Sequence, residues 1–276
     1  MINSNGNKFI LTEEGLPIIE ASIQFGHNVR HVFFYIDSCS SINIIDESYV
    51  INLGQESSFR GLGNRSNRTK IAKVRFCIGN NTFEDNFHAI EKRTMPKEDG
   101  YSIMGILGIG FMNKNKIMYN NYQQVIHMSS NSELFDSNMV IKMEYTKSGL
   151  PLIKTVFEGK EQWCLVDTGA AFNIACEPVF GDYTFQPITH DKATMLWSFG
   201  DKIMTLPAGL DFSVVLDGED KTHNIHYHEE FSVPVCGDKK YLDMDNGREI
   251  RVLLGNDFLR RHQWVLDFGR NVIYVR

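Results

Sequence analysis

Asp167-Thr168-Gly169-Ala170 follows directly after an apolar run at residues 163–166. A weaker copy of this stretch, Asp37-Ser38-Cys39-Ser40, follows the apolar run at residues 33–36 in the first half of the chain. Each half therefore has a carboxylate at the end of a segment whose apolar character predicts a buried strand. Two such aspartates predict one shared site, because two adjacent carboxyls can hold a single proton and act as acid and base.

The two halves share four segments in the same order, which indicates an internal repeat. The aspartate blocks are offset by 130 residues (167 − 37), and in each an asparagine, Asn43 or Asn173, stands six positions after the aspartate. The later blocks are offset by 147 residues (255 − 108), so the second copy carries 17 extra residues (147 − 130) between its blocks. The paired stretches are 14–18 with 148–152, 37–44 with 167–174, 106–112 with 253–259, and 119–126 with 266–273.

This repeat predicts two domains, residues 1–137 and residues 138–276, joined through a polar linker at residues 127–133. Short runs rich in β-branched and aromatic residues alternate with Gly, Asn and Asp turns, so the predicted class is all-β. The clearest predicted strands are residues 29–36, 71–78, 212–216 and 272–275. Short helices are expected only after glycines, at residues 110–116 and 256–262.

Composition excludes several classes of protein. The 276 residues carry a net charge of −6 without one long basic tract, which argues against a nucleic-acid partner. The first residues contain no apolar signal core, and no apolar run approaches the roughly 18 residues of a membrane span, so we expect no membrane partner. The five cysteines are irregularly spaced, which argues against a disulfide scaffold and favours reduced thiols in a cytoplasmic protein.

The combined motifs resemble the retropepsin and pepsin clan of aspartic peptidases, in which each lobe has a D-[TS]-G-[AS] loop and a later apolar-apolar-Gly segment. The second half matches most closely, in Leu165-Val166-Asp167-Thr168-Gly169-Ala170 and Val252-Leu253-Leu254-Gly255-Asn256-Asp257-Phe258-Leu259. The resemblance implies two retropepsin-like β-lobes in a pseudo-twofold, bilobal arrangement within one chain. It further implies a monomeric endopeptidase that uses no metal or organic cofactor and acts on a peptide or protein substrate.

By the same resemblance, Asp37 and Asp167 form the catalytic dyad that activates a water molecule. Ser38 and Thr168 are expected to hydrogen-bond across the two loops. Gly169 permits a close backbone approach with its N–H toward the carboxylate. Ser40 is expected to donate a further hydrogen bond to Asp37, which Ala170 cannot do for Asp167, so the two aspartates differ in environment.

Cys39 departs from the family pattern because it stands where glycine is expected. Three interpretations remain open: a tolerated substitution in an active dyad, a degenerate first lobe in a peptide- or protein-binding module, or a thiol that makes activity redox-sensitive. The binding module is the alternative to an enzyme.

Substrates of this clan are held by β-hairpin flaps, which add main-chain hydrogen bonds to an extended peptide. In the second half the flap candidate is residues 194–202, where Trp197 or Phe199 either covers the dyad or belongs to the core. In the first half it is residues 59–70, whose basic side chains either favour an acidic peptide or form a solvated loop. The candidate substrate-binding residues are Arg60, Gly61, Trp197, Phe199 and Gly200.

A histidine cluster suggests a different chemistry. His223, His226 and His228 have neighbouring carboxylates, a combination that binds zinc or nickel. The cluster follows a turn-like acidic stretch in the region of extra length, however, so a solvated hairpin is the preferred interpretation and no metal site is predicted.

Overall fold

The structure is a computed structural model that describes most of the first half and the core of the second. The described residues are 6–13, 15–25, 27–60, 66–91, 100–128, 139–157, 160–171, 173–175, 194–198, 201–206, 211–216, 225–230, 233–234, 248, 250–261 and 263–275. Regular structure in these ranges is almost entirely β-strand, arranged in two lobes, which confirms the predicted all-β bilobal class.

The first half contains eleven of the described strands, one 3-10 turn at Glu47–Tyr49, and helix α1 at Ile109–Lys114. Its strands are β1 (Asn7–Lys8), β2 (Ile10–Leu11), β3 (Pro17–Phe25), β4 (Asn28–Ile36), β5 (Ile44–Asp46), β6 (Glu56–Arg60), β7 (Ser66–Ile78), β8 (Asn81–Ile90), β9 (Ile103–Leu107), β10 (Ile117–Asn120) and β11 (Val125–Met128). Eight of them form one sheet in the order β2-β3-β4-β9-β5-β8-β7-β6, and an additional pairing of β3 with β7 curls this sheet toward a barrel.

The second half repeats this plan, with helix α2 at Asn256–Arg261. Its strands are β12 (Met139–Lys142), β13 (Glu144–Tyr145), β14 (Pro151–Phe157), β15 (Lys160–Val166), β16 (Ile174–Ala175), β17 (Thr194–Ser198), β18 (Asp201–Leu206), β19 (Asp211–Leu216), β20 (Ile225–Glu230), β21 (Val233–Pro234), β22 (Ile250–Leu254), β23 (Val265–Asp267) and β24 (Val272–Val275). The main sheet runs β16-β22-β15-β14-β19-β20 with β13 on β14, and β17-β18-β21 form a separate sheet.

Each lobe has one central strand that lies between the strand before the aspartate and the strand after it. In the first lobe β9 is parallel to β4 and antiparallel to β5. In the second lobe β22 lies in the same way between β15 and β16. At Gly105 in β9 a side chain would collide with the Ile44 carbonyl, so this tight packing requires glycine.

A six-stranded sheet, β1-β11-β10-β23-β24-β12, joins the lobes. At its centre β10 pairs with β23, and Tyr119 lies opposite Leu266, its partner at the repeat offset of 147 residues (266 − 119). Met118 pairs with Asp267, and Asn120 pairs with Val265. At the repeat offset, Met118 is equivalent to Val265 and Asn120 to Asp267, so the pairing is symmetric about Tyr119 and Leu266. The pseudo-twofold axis of the repeat therefore passes through the Tyr119–Leu266 pair.

The main core also crosses between the lobes. One continuous cluster of buried apolar residues includes Phe34 and Phe111 from the first half together with Val166, Leu254 and Trp264 from the second. Because burial of apolar surface is the dominant favourable term in folding, the two halves stabilise each other through this shared core.

Several sequence predictions need correction at their edges. The stretch at residues 127–133 is not wholly a linker, because His127 and Met128 belong to β11 and pair with β10; main-chain pairing does not require apolar periodicity. Helix α1 begins and ends earlier than predicted, and α2 ends at Arg261. The boundary at residue 137 lies outside the described residues, so the domain ranges 1–137 and 138–276 stay predictions.

Among the described residues, no helix combines the length and apolar character needed to cross a membrane. The cytoplasmic location stays a prediction.

Candidate active site

The two aspartates occupy equivalent positions at the ends of β4 and β15. The Asp37 N–H donates to the Leu107 carbonyl at 3.0 Å, and the Asp167 N–H donates to the Leu254 carbonyl at 2.9 Å. Each aspartate is therefore the last residue held by the central strand of its lobe before the chain turns away. The sheet thus fixes where both loops begin.

The loops are locked together by reciprocal hydrogen bonds between the lobes. The Ser38 N–H donates to Thr168 Oγ1 at 2.9 Å, and the Thr168 N–H donates to Ser38 Oγ at 3.0 Å. The Ser38 hydroxyl donates to the Val166 carbonyl at 2.6 Å, and the Thr168 hydroxyl donates to the Ile36 carbonyl at 2.8 Å. Ser38 and Thr168 are fully buried, so these bonds are protected from competition by water.

Backbone N–H groups of each loop orient its carboxylate. Asp37 Oδ1 accepts from the Cys39 N–H at 2.8 Å and from the Ser40 N–H at 2.9 Å. Asp167 Oδ1 accepts from the Gly169 N–H at 2.8 Å. Cys39 therefore supplies the same backbone donor to its aspartate as the glycine of the other loop does, despite its side chain.

The Ser40 hydroxyl does not donate to Asp37, contrary to the expectation from sequence. It donates instead to the Ile42 carbonyl at 2.7 Å, because the side chain points back along its own loop and only the N–H points to the carboxylate. Ala170 likewise supports Asp167 through its backbone N–H. The two aspartates are nevertheless unequal, because Asp167 is only 6% exposed whereas Asp37 is half-buried.

Gly169 lies in direct contact with the opposite carboxylate. A Cβ atom at this residue would lie 2.6 Å and 2.7 Å from the two carboxylate oxygens of Asp37, distances that real side chains do not adopt. The absence of a side chain allows the Asp37 carboxylate to cross into the second loop, where it hydrogen-bonds to the Asp167 carboxyl. The structure therefore brings the two aspartates together.

The electrostatics of the pair favour one shared proton. Burial raises the pKa of Asp37, and the bonds from the Cys39 N–H, the Asp167 carboxyl and the Ser40 N–H oppose this rise. Burial raises the pKa of Asp167 well above its ordinary value, the negative charge of Asp37 adds to the rise, and the Gly169 N–H opposes it. Because two adjacent carboxylates cannot both ionise cheaply, the pair holds one proton, and the larger rise at Asp167 favours that residue as its holder.

The Cys39 side chain fits against the second lobe, where its Sγ lies 3.7 Å from the Val166 carbonyl. Burial raises the pKa of the Cys39 thiol well above its ordinary value, and the charges of Asp167 and Asp37 add to the rise. A thiol with so little thiolate reacts slowly with oxidants, which counts against the redox-sensitive interpretation. The described cysteines, Cys39, Cys77 and Cys164, are all free thiols.

Two asparagines that the repeat contains support the loops. Asn43 Oδ1 accepts from the Gly108 N–H at 2.9 Å, and Asn173 Oδ1 accepts from the Gly255 N–H at 2.9 Å. At Gly108 a Cβ would collide with the carbonyls of Ser40 and Ile42, so the glycine allows the loop to pass close by. The spacing of six residues between aspartate and asparagine, repeated in both halves, was visible in the sequence, but its role required the structure.

A third support was not found from sequence. Asn256 Nδ2 donates to the Thr168 carbonyl, and the Tyr119 hydroxyl lies 3.3 Å from Asn256 Oδ1 and 3.0 Å from Asn121 Oδ1. Tyr119 and Asn256 are completely buried, so this chain of polar groups connects the sheet between the lobes to the Thr168 loop. The equivalent of Asn256 in the first lobe is Ile109, and the signal available was this replacement of an apolar residue by a polar one between the two copies.

The first-lobe flap candidate is a β-hairpin of β6 and β7. Its tip, residues 61–65, lies outside the described residues and includes Gly61; the side chain of Arg60 is likewise not described. Phe59 packs edge-on to His88, and the Thr69 hydroxyl lies 2.9 Å from His88 Nδ1, whereas Arg68 and Lys70 are exposed. The exposure of these two cations is compatible with both interpretations of the basic stretch, so contact with an acidic peptide and a solvated loop both stay predictions.

The second-lobe flap candidate also pairs as a hairpin, since β17 and β18 match Trp197 with Lys202 and Ser198 with Asp201. Phe199 and Gly200 at the tip, and the side chain of Trp197, lie outside the described residues. Its role in covering the dyad stays a prediction.

The histidine segment forms a hairpin, in which β20 pairs with β19 and matches His226 with Val215 and His228 with Ser213. His223 lies outside the described residues. No group of three His, Cys, Asp or Glu side chains that could hold a metal ion occurs within the described ranges.

Comparison with known proteins supports the fold. The chain is similar to the crystal structure of basic 7S globulin from soybean, with a TM-score of 0.53 and 10% sequence identity, over 97% of this chain and 93% of that one. This likeness shows a pepsin-like fold. No protein-family model matches the chain, and no curated protein matches it. At this identity the likeness carries the architecture and says nothing about catalysis.

Proposed function

We propose that this protein is an aspartic endopeptidase whose dyad is Asp37 and Asp167. The observation that carries the proposal is the pair of hydrogen-bonded carboxyls beneath loops that Ser38 and Thr168 lock reciprocally. Two carboxyls with one proton can deprotonate a water molecule and protonate a carbonyl in the same step. Because one chain supplies both aspartates, we expect the active form to be a monomer.

The unequal burial of the pair assigns the starting roles. Asp37, the ionised partner, accepts a proton from water as the water oxygen bonds to the peptide carbonyl carbon. Asp167, the protonated partner, donates its proton to the carbonyl oxygen. Asp37 then passes the proton it took from water to the nitrogen, and a hydroxyl of the tetrahedral diol gives its proton to Asp167 as the C–N bond breaks. An acid and an amine are released, and the dyad again holds one proton.

Apolar clusters on the strands that carry the dyad support a preference for apolar residues around the cleaved bond. Tyr35 and Leu165 each stand two residues before an aspartate, so strand alternation places them on the same face as the carboxylates. Both belong to buried apolar clusters at equivalent positions of the two lobes. We expect bonds between two large apolar residues to be cleaved most readily.

The test is mass-spectrometric cleavage profiling of a diverse peptide mixture between about pH 3 and pH 8. The native chain is compared with Asp37→Asn and Asp167→Asn, which keep side-chain size but remove the acid. Cuts that occur next to apolar residues and disappear in both variants support the dyad. Cuts that persist in either variant, or no cuts at any pH, contradict it.

A peptide- or protein-binding module is the second candidate function, and the observation that favours it is Cys39 at the position of Gly169. A binder should capture peptides from the same mixture without cutting them, and Asp167→Asn should capture them equally well. Turnover that depends on both aspartates would exclude this candidate.

A further inference from the structure

The two loops of the dyad differ at one pair of equivalent positions, Cys39 and Gly169, which are 130 residues apart (169 − 39). The backbone at both positions does the same thing, since each N–H donates to its own aspartate at 2.8 Å. The difference therefore lies in the side chain alone. The thiol of Cys39 has no counterpart in the second loop.

The Cys39 side chain lies over the second lobe. It packs against the apolar cluster beneath the Asp167 loop and lies 3.7 Å from the carbonyl of Val166, the residue directly before Asp167. The buried members of that cluster are Leu152, Leu165, Ile250 and Leu253. No side chain covers Asp37 from the position of Gly169, and Asp37 is the more exposed aspartate.

We propose that the Cys39 side chain excludes water from Asp167 and thereby keeps the shared proton of the dyad on Asp167 at neutral pH. This inference rests on the proposed function for its catalytic meaning, but it concerns a property of the folded protein that can be measured separately. Removal of water disfavours the charged form of a carboxyl, so the more deeply covered partner retains the proton. In an enzyme, retention of this proton raises the upper limit of the pH range in which one carboxyl is protonated and the other ionised, and so brings that limit closer to neutral pH.

The charges around Asp167 agree with this placement. Asp37 is the ionisable group in direct contact, and its negative charge adds to the effect of burial on the pKa of Asp167. The thiol of Cys39 stays neutral because burial raises its pKa well above the ordinary value. From the central strand and α2, Asn256 approaches the loop as a neutral amide, and Ser38 and Thr168 contribute neutral hydroxyls. Within the described residues, therefore, the cover over Asp167 adds no positive charge.

The test is a carbon-13 NMR titration of the aspartate carboxyls in native protein, Cys39→Gly and Cys39→Ala. Asp37→Asn and Asp167→Asn spectra assign the signals, and Cys77→Ala is the matched control, because Cys77 is a half-buried thiol on β7. Cys39→Gly should lower the higher of the two apparent pKa values of the dyad by about one pH unit, a typical size for environmental shifts. Cys39→Ala should give a smaller decrease, and Cys77→Ala none.

An unchanged or increased upper pKa in Cys39→Gly or Cys39→Ala, in protein whose circular dichroism is native, overturns the inference. Cys39→Ala retains a Cβ and serves if the glycine variant does not fold. If cleavage is observed, the alkaline limb of kcat/KM should move to lower pH together with the NMR value. A lowered pKa in a protein that cleaves nothing supports the inference and counts against the peptidase, so the two failures are distinguishable.

Discussion

At the scale of single residues, the site depends on which positions carry a side chain. Gly169 carries none, and the Asp37 carboxylate occupies the space that a Cβ would need. Cys39, at the equivalent position, carries one that packs against the second lobe. The same backbone conformation therefore tolerates a side chain in one loop and excludes it in the other.

Gly169→Ala should therefore lower the cleavage rate about a hundredfold, whereas Cys39→Ala should retain cleavage. The added methyl group must displace the Asp37 carboxylate, and a displacement of about 1 Å can lower a rate about a hundredfold. The measurement is kcat/KM on a peptide identified by cleavage profiling, with circular dichroism as the check on folding. Equal activity of the two alanine variants would contradict this account of the site.

The buried dyad should also affect stability in a pH-dependent way. The pKa of Asp167 is raised in the folded state, so the folded protein binds this proton more tightly than the unfolded chain. The contribution is fully present below the unfolded pKa of about 3.9 and is lost as pH rises toward the folded value. Asp167→Asn cannot ionise and avoids this loss.

We therefore expect Asp167→Asn to exceed the native protein in unfolding free energy at pH 7, with a smaller difference at pH 4. Urea denaturation at both pH values measures this, and Asp46→Asn, a buried carboxylate away from the dyad, is the control. If Asp167→Asn exceeds the native protein by more at pH 4 than at pH 7, the pH dependence of stability has the opposite sign, and the raised pKa of Asp167 is refuted.

At the scale of secondary-structure elements, the central strands and the helices that follow them hold the loops in place. α2 begins with Asn256, whose N–H donates to the Ala170 carbonyl at 2.8 Å and whose amide donates to the Thr168 carbonyl. α1 begins with Ile109, whose N–H donates to the Ser40 carbonyl at 2.8 Å but whose side chain is apolar. The second loop is thus tied to its helix by one more hydrogen bond than the first.

Asn256→Leu, which imitates Ile109, should reduce both stability and turnover. Loss of the amide leaves the buried Thr168 carbonyl and Tyr119 hydroxyl without this partner, at a cost of about 1–3 kcal/mol. Urea denaturation and kcat measure the two effects. Tyr119→Phe should produce part of the same loss in kcat, because the Tyr119 hydroxyl acts through Asn256. An unchanged kcat in both variants would show that the hydrogen bonds from Tyr119 through Asn256 to Thr168 do not position the dyad.

At the scale of the whole molecule, the two lobes form one folding unit. β10 and β23 pair across the pseudo-twofold axis, and the main apolar cluster contains residues from both halves. Each lobe alone would expose this core and would carry only one of the two paired aspartates, Asp37 or Asp167. The fold therefore accomplishes within one chain what a symmetric dimer would accomplish with two.

Residues 1–137 and residues 138–276, expressed separately, should each be inactive and poorly folded. Refolded together as an equimolar mixture they should recover cleavage, because the β10–β23 pairing and the Ser38–Thr168 bonds need no covalent connection. Gel filtration and the cleavage assay follow the recovery, with Asp37→Asn in the first half as the control. Cleavage by either half alone, in a form that gel filtration shows to be monomeric, would contradict a dyad shared between the lobes.

The sequence by itself determined the all-β class and the bilobal plan, and it located the two aspartates. Strand alternation, glycine turns and repeated motifs are local properties, so they can be read from short stretches and from the offsets between them. The flap positions also follow from local hairpin signals, although their tips and their contact with the dyad stay predictions.

Only the tertiary structure decided how the two halves meet. Four features of the site depend on contacts within and between lobes. They are the direction of the Ser40 hydroxyl, the fit of Cys39 against the second lobe, the collision that excludes a side chain at Gly169, and the hydrogen-bonded chain Tyr119–Asn256–Thr168. Most of these contacts join residues that are 88 to 137 positions apart in the chain. Their geometry is determined by the register of β10 on β23 and by the packing of one shared core. Neither property is contained in any single stretch of sequence, because both arise from contacts between the two halves.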